Sequence, residues 1–202
     1  FADVMLRDEG TAELLPACNT VIFDEAHQLP ETASLFFGDN VSTAQVIDLA
    51  RDVRTEGLTS AKDCLDLPKL CGVVEKATKD LRLTLPVEPA RFSLAQLEER
   101  MGFDNAVVGL IRELEVFAAL LVIQALRSEG LENCWRRAGE LVAQLRRWQK
   151  GADADYVRWG ETYTLSLQLN STPLVVANIM KKQMSGHPRA WIFTSATLAV
   201  QG

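Results

Sequence analysis

Histidine is nearly absent from this chain. His27 and His187 are the only two in 202 residues, and cysteine stops at four: Cys18, Cys64, Cys71 and Cys134. No C-x-x-C pair occurs and no histidine stands at ligand spacing from a cysteine, which argues against a closed zinc site. The start, Phe1-Ala2-Asp3-Val4, has no basic region leading into an apolar one, so it lacks the pattern of a secretory leader. A disulfide framework is therefore not expected, and the cysteines read as small buried hydrophobes. Long apolar runs are missing as well. The longest, Val116–Ile123, has eight residues and is preceded by Arg112, Glu113 and Glu115, well short of a membrane span. Basic charge is not in excess either: 21 Lys and Arg face 27 Asp and Glu, for a net charge of −6. That rules out a highly basic nucleic-acid coat, and any nucleic-acid surface has to be local. Without an initial Met, the chain is expected to be a piece of a longer one. There is no internal repeat and no low-complexity segment.

What is present suits a folded protein with a sizeable core: 48% of residues are apolar and 24% charged. The charge is uneven. Residues 1–38 carry seven acids and the single base Arg7, while the remaining 164 residues balance at 20 and 20. Residues 3–15 read as a helix ended by Pro16. Thr20-Val21-Ile22-Phe23 is short, apolar and β-branched, and reads as a buried strand of a parallel sheet with Asp24 at its carboxyl tip. Residues 25–37 turn away through Pro30.

A long helical stretch follows. Ser42 is placed to cap a helix over 43–55 that Gly57 ends, and Ser60 to cap a short one up to Leu67. Pro68 suits the first turn of a helix over 68–83. Pro86 and Pro89 mark a loop, and Ser93-Leu94-Ala95-Gln96 is a capping box. The next helix breaks at Gly102 and restarts at Asp104, running to about Ser128. It is apolar nearly all round over 116–126, which predicts the central helix of a bundle. Helix 131–149 places Leu131, Cys134, Trp135, Ala138, Leu141, Val142, Leu145 and Trp148 on one face. Tyr156–Trp159 and Thr162–Leu169 alternate around Gly160-Glu161 as a β-hairpin. Asn170-Ser171-Thr172-Pro173 reads as the start of a helix to about Met184. Ala190-Trp191-Ile192-Phe193 is a second buried strand, followed by Thr194-Ser195-Ala196-Thr197.

Both strands thus end in groups able to do chemistry, where open α/β sheets bind their ligands. An Asp at such a tip can hold Mg²⁺ through its water shell, and the following Glu can orient or deprotonate an attacking water. The hydroxyls of Thr194–Thr197 can bond to the first tip.

These residues resemble superfamily 2 helicases: Val21-Ile22-Phe23-Asp24-Glu25-Ala26-His27 looks like their motif II and Phe193–Leu198 (FTSATL) like motif III. The 167 residues between His27 and Ser195 are too many for a DEAD- or DEAH-box RNA helicase. They match the helical Arch insertion of the XPD-like iron–sulfur DNA helicases, and FDEAHQLPETAS with the tail VRWGETYTLSLQLNSTPLVV is similar to the DinG/YoaA branch. The resemblance implies that Asp24 binds the Mg²⁺ of Mg-ATP and that Glu25 activates the hydrolytic water. It further implies that His27 links the nucleotide site to the DNA-binding motifs, and that the motif III residues Thr194, Ser195, Ala196 and Thr197 couple hydrolysis to movement, mainly through Ser195 and Thr197. It implies a parent enzyme translocating 5′→3′ on single-stranded or forked DNA in the bacterial cytoplasm, acting in repair or replication-fork maintenance, with replication or repair proteins as further partners.

No G-x-x-x-x-G-K-[ST] occurs, so the phosphate cradle is absent and this chain alone is expected to be inactive. The family's 4Fe–4S cysteines precede motif II at a spacing Cys18 does not fit, so the cluster belongs to the parent outside this chain. The expectation is a mainly α fragment with a β-hairpin and a small parallel α/β remnant. Residues 1–38 would be a motor-domain edge, 39–155 the Arch, and 156–202 the hairpin, helix and return strand. No cofactor is expected to be bound here, and no membrane partner. Arg136, Arg137, Arg146, Arg147 and Lys150 form a local basic concentration that either lines a DNA path or is a solvated face partly balanced by Glu132 and Glu140. Trp135 and Trp148, on the apolar stripe, read as core. The rival function is a non-catalytic module that docks a repair or replication partner. A nuclease would need a second carboxylate cluster, which is not there.

Overall fold

A computed structural model of the chain describes residues 19–151, 155–185 and 190–195. The expected helix 3–15, Cys18, His187, Ala196 and Thr197 lie outside these. The described residues form two compact units. One contains 19–38, 155–157 and 172–195 as far as described, and the other contains 39–151 and 158–171. The protein is mainly α, with small parallel and antiparallel sheets. No described helix is long and apolar enough to cross a membrane.

The larger unit runs β2 (Asp39–Ser42), α2 (Thr43–Ser60), α3 (Asp66–Leu83), β3 (Ala90–Ser93), α4 (Leu94–Glu98), α5 (Phe103–Gln124) and α6 (Glu129–Lys150), followed by most of the hairpin β4 (Tyr156–Thr162) and β5 (Leu167–Pro173). Helix starts follow local chemistry. Ser42 Oγ accepts Gln45 N–H at 3.3 Å while Gln45 Oε1 accepts Ser42 N–H at 2.8 Å. Ser93 and Gln96 repeat this reciprocal box, and Ser128 Oγ accepts Leu131 N–H at 3.1 Å. Each such cap contributes about 1 kcal/mol.

The core lies among α2, α3, α5 and α6, where Leu49, Val53, Val74, Leu110, Leu114, Phe117, Leu121, Leu131 and Leu145 are essentially sealed from solvent. Each such side chain contributes roughly 2 kcal/mol of burial. The ion pairs that cross these helices, among them Arg54–Glu75, Arg137–Asp52 and Arg146–Glu115, are partly solvated and contribute well under half as much. Packing, not charge, holds this unit together. Trp148 joins the helices to the sheet: its ring meets Phe103 edge-on, and its Nε1–H donates to Asn170 O at 3.0 Å.

Several local expectations yield to tertiary context. Gly57 does not end α2, which continues to Ser60; a Cβ there would stand 2.8 Å from Leu67 Cδ2, so glycine serves close packing. Residues 61–65 form a turn, not a helix capped by Ser60. Helix α5 is not buried all round: Val116, Val122 and Ile123 are exposed, Leu126 just beyond it is 100% exposed, and only one stripe from Phe103 to Gln124 is buried. Trp135 is likewise solvent-accessible, at 39% exposed, because it lies at the border of the buried line Leu131, Cys134 and Ala138 and not within it.

The hairpin turns at 163–166, where Tyr163 N–H donates to Ser166 O at 2.8 Å. Gly160 instead sits inside β4, where its missing side chain admits Leu97. Residues 170–173 extend β5 and do not open a helix. This happens because β5 pairs antiparallel with β2 and β4 with β3, giving a four-stranded sheet ordered β2-β5-β4-β3. The short strands β2 and β3 have too few residues to show a period of their own, and they draw most of the hairpin into the helical unit.

The smaller unit holds β1 (Thr20–Phe23), a 3₁₀ turn (Ala26–Gln28), α1 (Leu29–Phe37), α7 (Val176–Ser185) and β6 (Ala190–Phe193). Pro30 sits in the first turn of α1 and helps start that helix. Helix α1 packs on α7. Strands β1 and β6 pair in parallel, in register from Thr20↔Ala190 to Phe23↔Phe193. Phe23 stacks on Trp191 and Phe193 with centroids 6.1 and 5.8 Å apart. The strands are less buried than their composition predicts: Val21 is covered but Ile22 is 63% exposed, since each strand has only the other as a neighbour among the described residues.

Candidate nucleotide-site edge

The parallel register ends both strands at the same level, so Asp24 follows Phe23 where Thr194 follows Phe193. The chain then turns sharply. Glu25 has φ 51° and ψ 42°, left-handed values that cost a non-glycine residue about 1–2 kcal/mol. Three main-chain bonds compensate: Thr194 N–H donates to Phe23 O at 2.9 Å, Ala26 N–H to Thr194 O at 2.9 Å, and Gln28 N–H to Glu25 O at 2.9 Å. The turn lifts the Glu25 carboxylate out of the strand direction, beside the solvent-exposed Asp24.

Side chains complete the cluster. Asp24 Oδ1 accepts Thr194 Oγ1–H at 2.8 Å and Glu25 N–H at 2.9 Å. The Thr194 hydroxyl, and then the Glu25 amide, hold the Asp24 carboxyl below its usual range, so it stays charged. His27 Nδ1 lies 2.8 Å from Ser195 Oγ and 3.2 Å from Glu25 Oε2. Asp24, Glu25, His27, Thr194 and Ser195 are therefore one connected group. It presents two carboxylates, an imidazole and two hydroxyls on an exposed edge. The sequence leads one to expect bonds from the hydroxyls of Thr194–Thr197 to the first tip; that Thr194 is the one to reach Asp24 depends on strand register, which composition does not show.

A single carboxylate suffices as protein ligand for Mg²⁺ where substrate phosphates and water complete its shell, and Asp24 would offer Oδ2, which neither Thr194 nor Glu25 engages. Among the described residues no three carboxylate, imidazole or thiol side chains are placed to hold a metal ion jointly. The cysteines follow the buried-hydrophobe reading in part. Burial pushes the Cys71 thiol up to about 11 and raises that of Cys134, while Cys64 is half-buried. Among the described residues Cys64, Cys71 and Cys134 do not gather into one ligand group.

The basic residues of α6 belong to the other unit, and most are already engaged. Arg137 pairs with Asp52 at 2.6 Å, Arg147 with Asp39 at 3.1 Å and Arg146 with Glu115. Arg136 reaches Asn133 at 2.9 Å, and Lys150 is exposed at the helix end. These carboxylates come from β2, α2 and α5, so the balancing acids are not those on α6 itself. A feature the sequence did not reveal is an open apolar groove of about 640 Å³ between α2, α3 and the hairpin tip, lined by Ile47, Leu83, Leu85, Val87 and Leu165.

Comparison with known proteins agrees with the motifs. The ATP-dependent DNA helicase YoaA of Escherichia coli (strain K12) is 35% identical over 200 residues, covering 99% of this chain and 31% of that protein. YoaA of Haemophilus influenzae (strain ATCC 51907 / DSM 11121 / KW20 / Rd) is 32% identical over 203 residues, covering 100% of this chain and 32% of that protein. The solved structure of S. tokodaii Xpd4 aligns over 98% of this chain and 39% of its own at a TM-score of 0.47 and 14% identity, a likeness too slight to carry an assignment. No protein-family model matches. Along essentially its whole length the chain is thus similar to a stretch of the YoaA helicases. The chain spans about a third of the length of those curated relatives.

Proposed function

We propose that the full-length protein is an ATP-dependent DNA helicase translocating 5′→3′ in the bacterial cytoplasm, in DNA repair or replication-fork maintenance. In this reading the segment supplies motif II, motif III and the helical Arch that guides single-stranded or forked DNA. The observation that carries the reading is the in-register parallel pairing of β1 with β6, which sets Asp24-Glu25 and Thr194-Ser195 side by side at one strand edge. Asp24 serves the Mg²⁺ of Mg-ATP, which neutralises phosphate charge when bound. Glu25 orients or deprotonates the attacking water, and the left-handed turn at its own backbone sets its direction. His27 and Ser195 connect this edge to the rest of motif III, with Ala196 and Thr197 following. The 4Fe–4S cluster implied by the family belongs to another part of the parent. Arg136, Arg137, Arg147 and Lys150 are secondary candidates for DNA contact; their ion pairs support the solvated-face reading instead for Arg137 and Arg147. A second reading, a docking module for a repair or replication protein, is favoured by the apolar groove under the hairpin tip.

Glu25→Gln in the full-length protein tests the catalytic assignment. The substitution keeps size and hydrogen bonding but removes the basic carboxylate, so ATP turnover and unwinding should fall about 100-fold or more while binding of ATP and single-stranded DNA persists. Unimpaired turnover would refute it. The 202-residue chain alone, lacking the phosphate cradle, should release no more phosphate than its own Glu25→Gln variant.

A further inference from the structure

Thr194 grips the Asp24–Glu25 tip at three points. Its N–H donates to Phe23 O, its carbonyl accepts Ala26 N–H, and its hydroxyl donates to Asp24 Oδ1 at 2.8 Å. The hydroxyl has a second acceptor in range, Phe23 O, but at 3.5 Å; the shorter bond to a charged acceptor wins the proton. Asp24 Oδ1 also accepts Glu25 N–H at 2.9 Å. A carboxylate oxygen offers two lone pairs, so Oδ1 is saturated and Oδ2 is the oxygen left for another ligand. The two main-chain bonds fix the Thr194 backbone beside the Asp24 tip, and from there the hydroxyl needs only its χ1 rotamer to reach Oδ1.

We propose that Thr194 is a positioning residue for metal-nucleotide binding: by occupying Oδ1 it orients the Asp24 carboxylate so that Oδ2 faces the Mg²⁺ of the bound nucleotide. This rests on the reading of Asp24 as the Mg²⁺ residue. It gives Thr194 a task separate from the coupling role that the resemblance assigns chiefly to Ser195 and Thr197.

The test uses the full-length protein and a non-hydrolysable ATP analogue, with analogue affinity measured across a Mg²⁺ titration and again in EDTA. Thr194→Val keeps shape and main-chain bonds but removes the donor. It should need about tenfold more Mg²⁺ to reach half of the Mg²⁺-dependent gain, as loss of an outer partner of a metal ligand does. Affinity in EDTA should be unchanged, which also shows that the site is folded. Thr194→Ser should restore the wild-type midpoint, and Thr194→Ala should match the valine variant. An unchanged midpoint in Thr194→Val, or a serine variant no better than valine, overturns the assignment. Asp24→Asn separates the two levels. If it shifts the midpoint and Thr194→Val does not, only the positioning role falls. If Asp24→Asn leaves the midpoint in place, the Asp24 reading fails and the Thr194 role with it.

Discussion

His27 Nδ1 lies 2.8 Å from Ser195 Oγ although 168 positions separate the two residues. The same nitrogen lies 3.2 Å from Glu25 Oε2. A carboxylate can only accept, so this closeness favours the tautomer with the proton on Nδ1, shared between the Glu25 oxygen and the Ser195 oxygen. His27 is thus the joint between a strand tip that carries the acids and a strand tip that carries the hydroxyls.

That joint is measurable. In the full-length protein, His27→Ala and Ser195→Ala should each slow DNA-stimulated ATP turnover, and the double variant should be slower than either by less than the product of the two effects. A coupling of about 1 kcal/mol, roughly fivefold in rate, is expected for residues in direct contact. Strictly multiplicative losses would show that the contact plays no part in turnover.

The basic face of α6 is tested by Arg136→Ala combined with Arg147→Ala. If these side chains meet phosphates, single-stranded DNA affinity should fall, and the slope of log affinity against log salt should flatten by up to about one unit per lost contact. Unchanged affinity and slope would leave Arg147 as a partner of Asp39 and the face as merely solvated.

Two helical glycines should respond in opposite directions. Gly72→Ala in α3 meets nothing within 4 Å and should stabilise the chain by about 0.8 kcal/mol through helix propensity. Gly57→Val in α2 drives a side chain into the buried Leu67 and should destabilise by about 2 kcal/mol. Chemical unfolding midpoints of the two variants check the pair, and a stabilised Gly57→Val would contradict the close approach.

Much of the site was legible in the sequence because its signals are local. Acids directly after a β-branched run mark a strand tip, and Thr-Ser after Ala190–Phe193 marks another, whatever the rest of the chain does. The Ser42 and Ser93 boxes were equally readable, since a cap needs only residues three apart. That the two tips are neighbours was an inference from motif chemistry, and the parallel register supplies it physically.

Tertiary structure decided what depends on distant partners. Gly57 and Gly160 read as breaks, but they are an interior helix position and an interior strand position, because Leu67 and Leu97 occupy the space their side chains would need. The apolar stretch 116–126 read as buried on all sides, yet one face of a helix stays wet when no element packs over it. Strands β2 and β3, four residues each, exist only because β5 and β4 offer them unpaired edges. In the same way, local sequence placed a carboxylate at residue 24, but the fold alone decided that the Thr194 hydroxyl takes one of its oxygens, because a hydrogen bond across 170 positions is a property of register and not of composition.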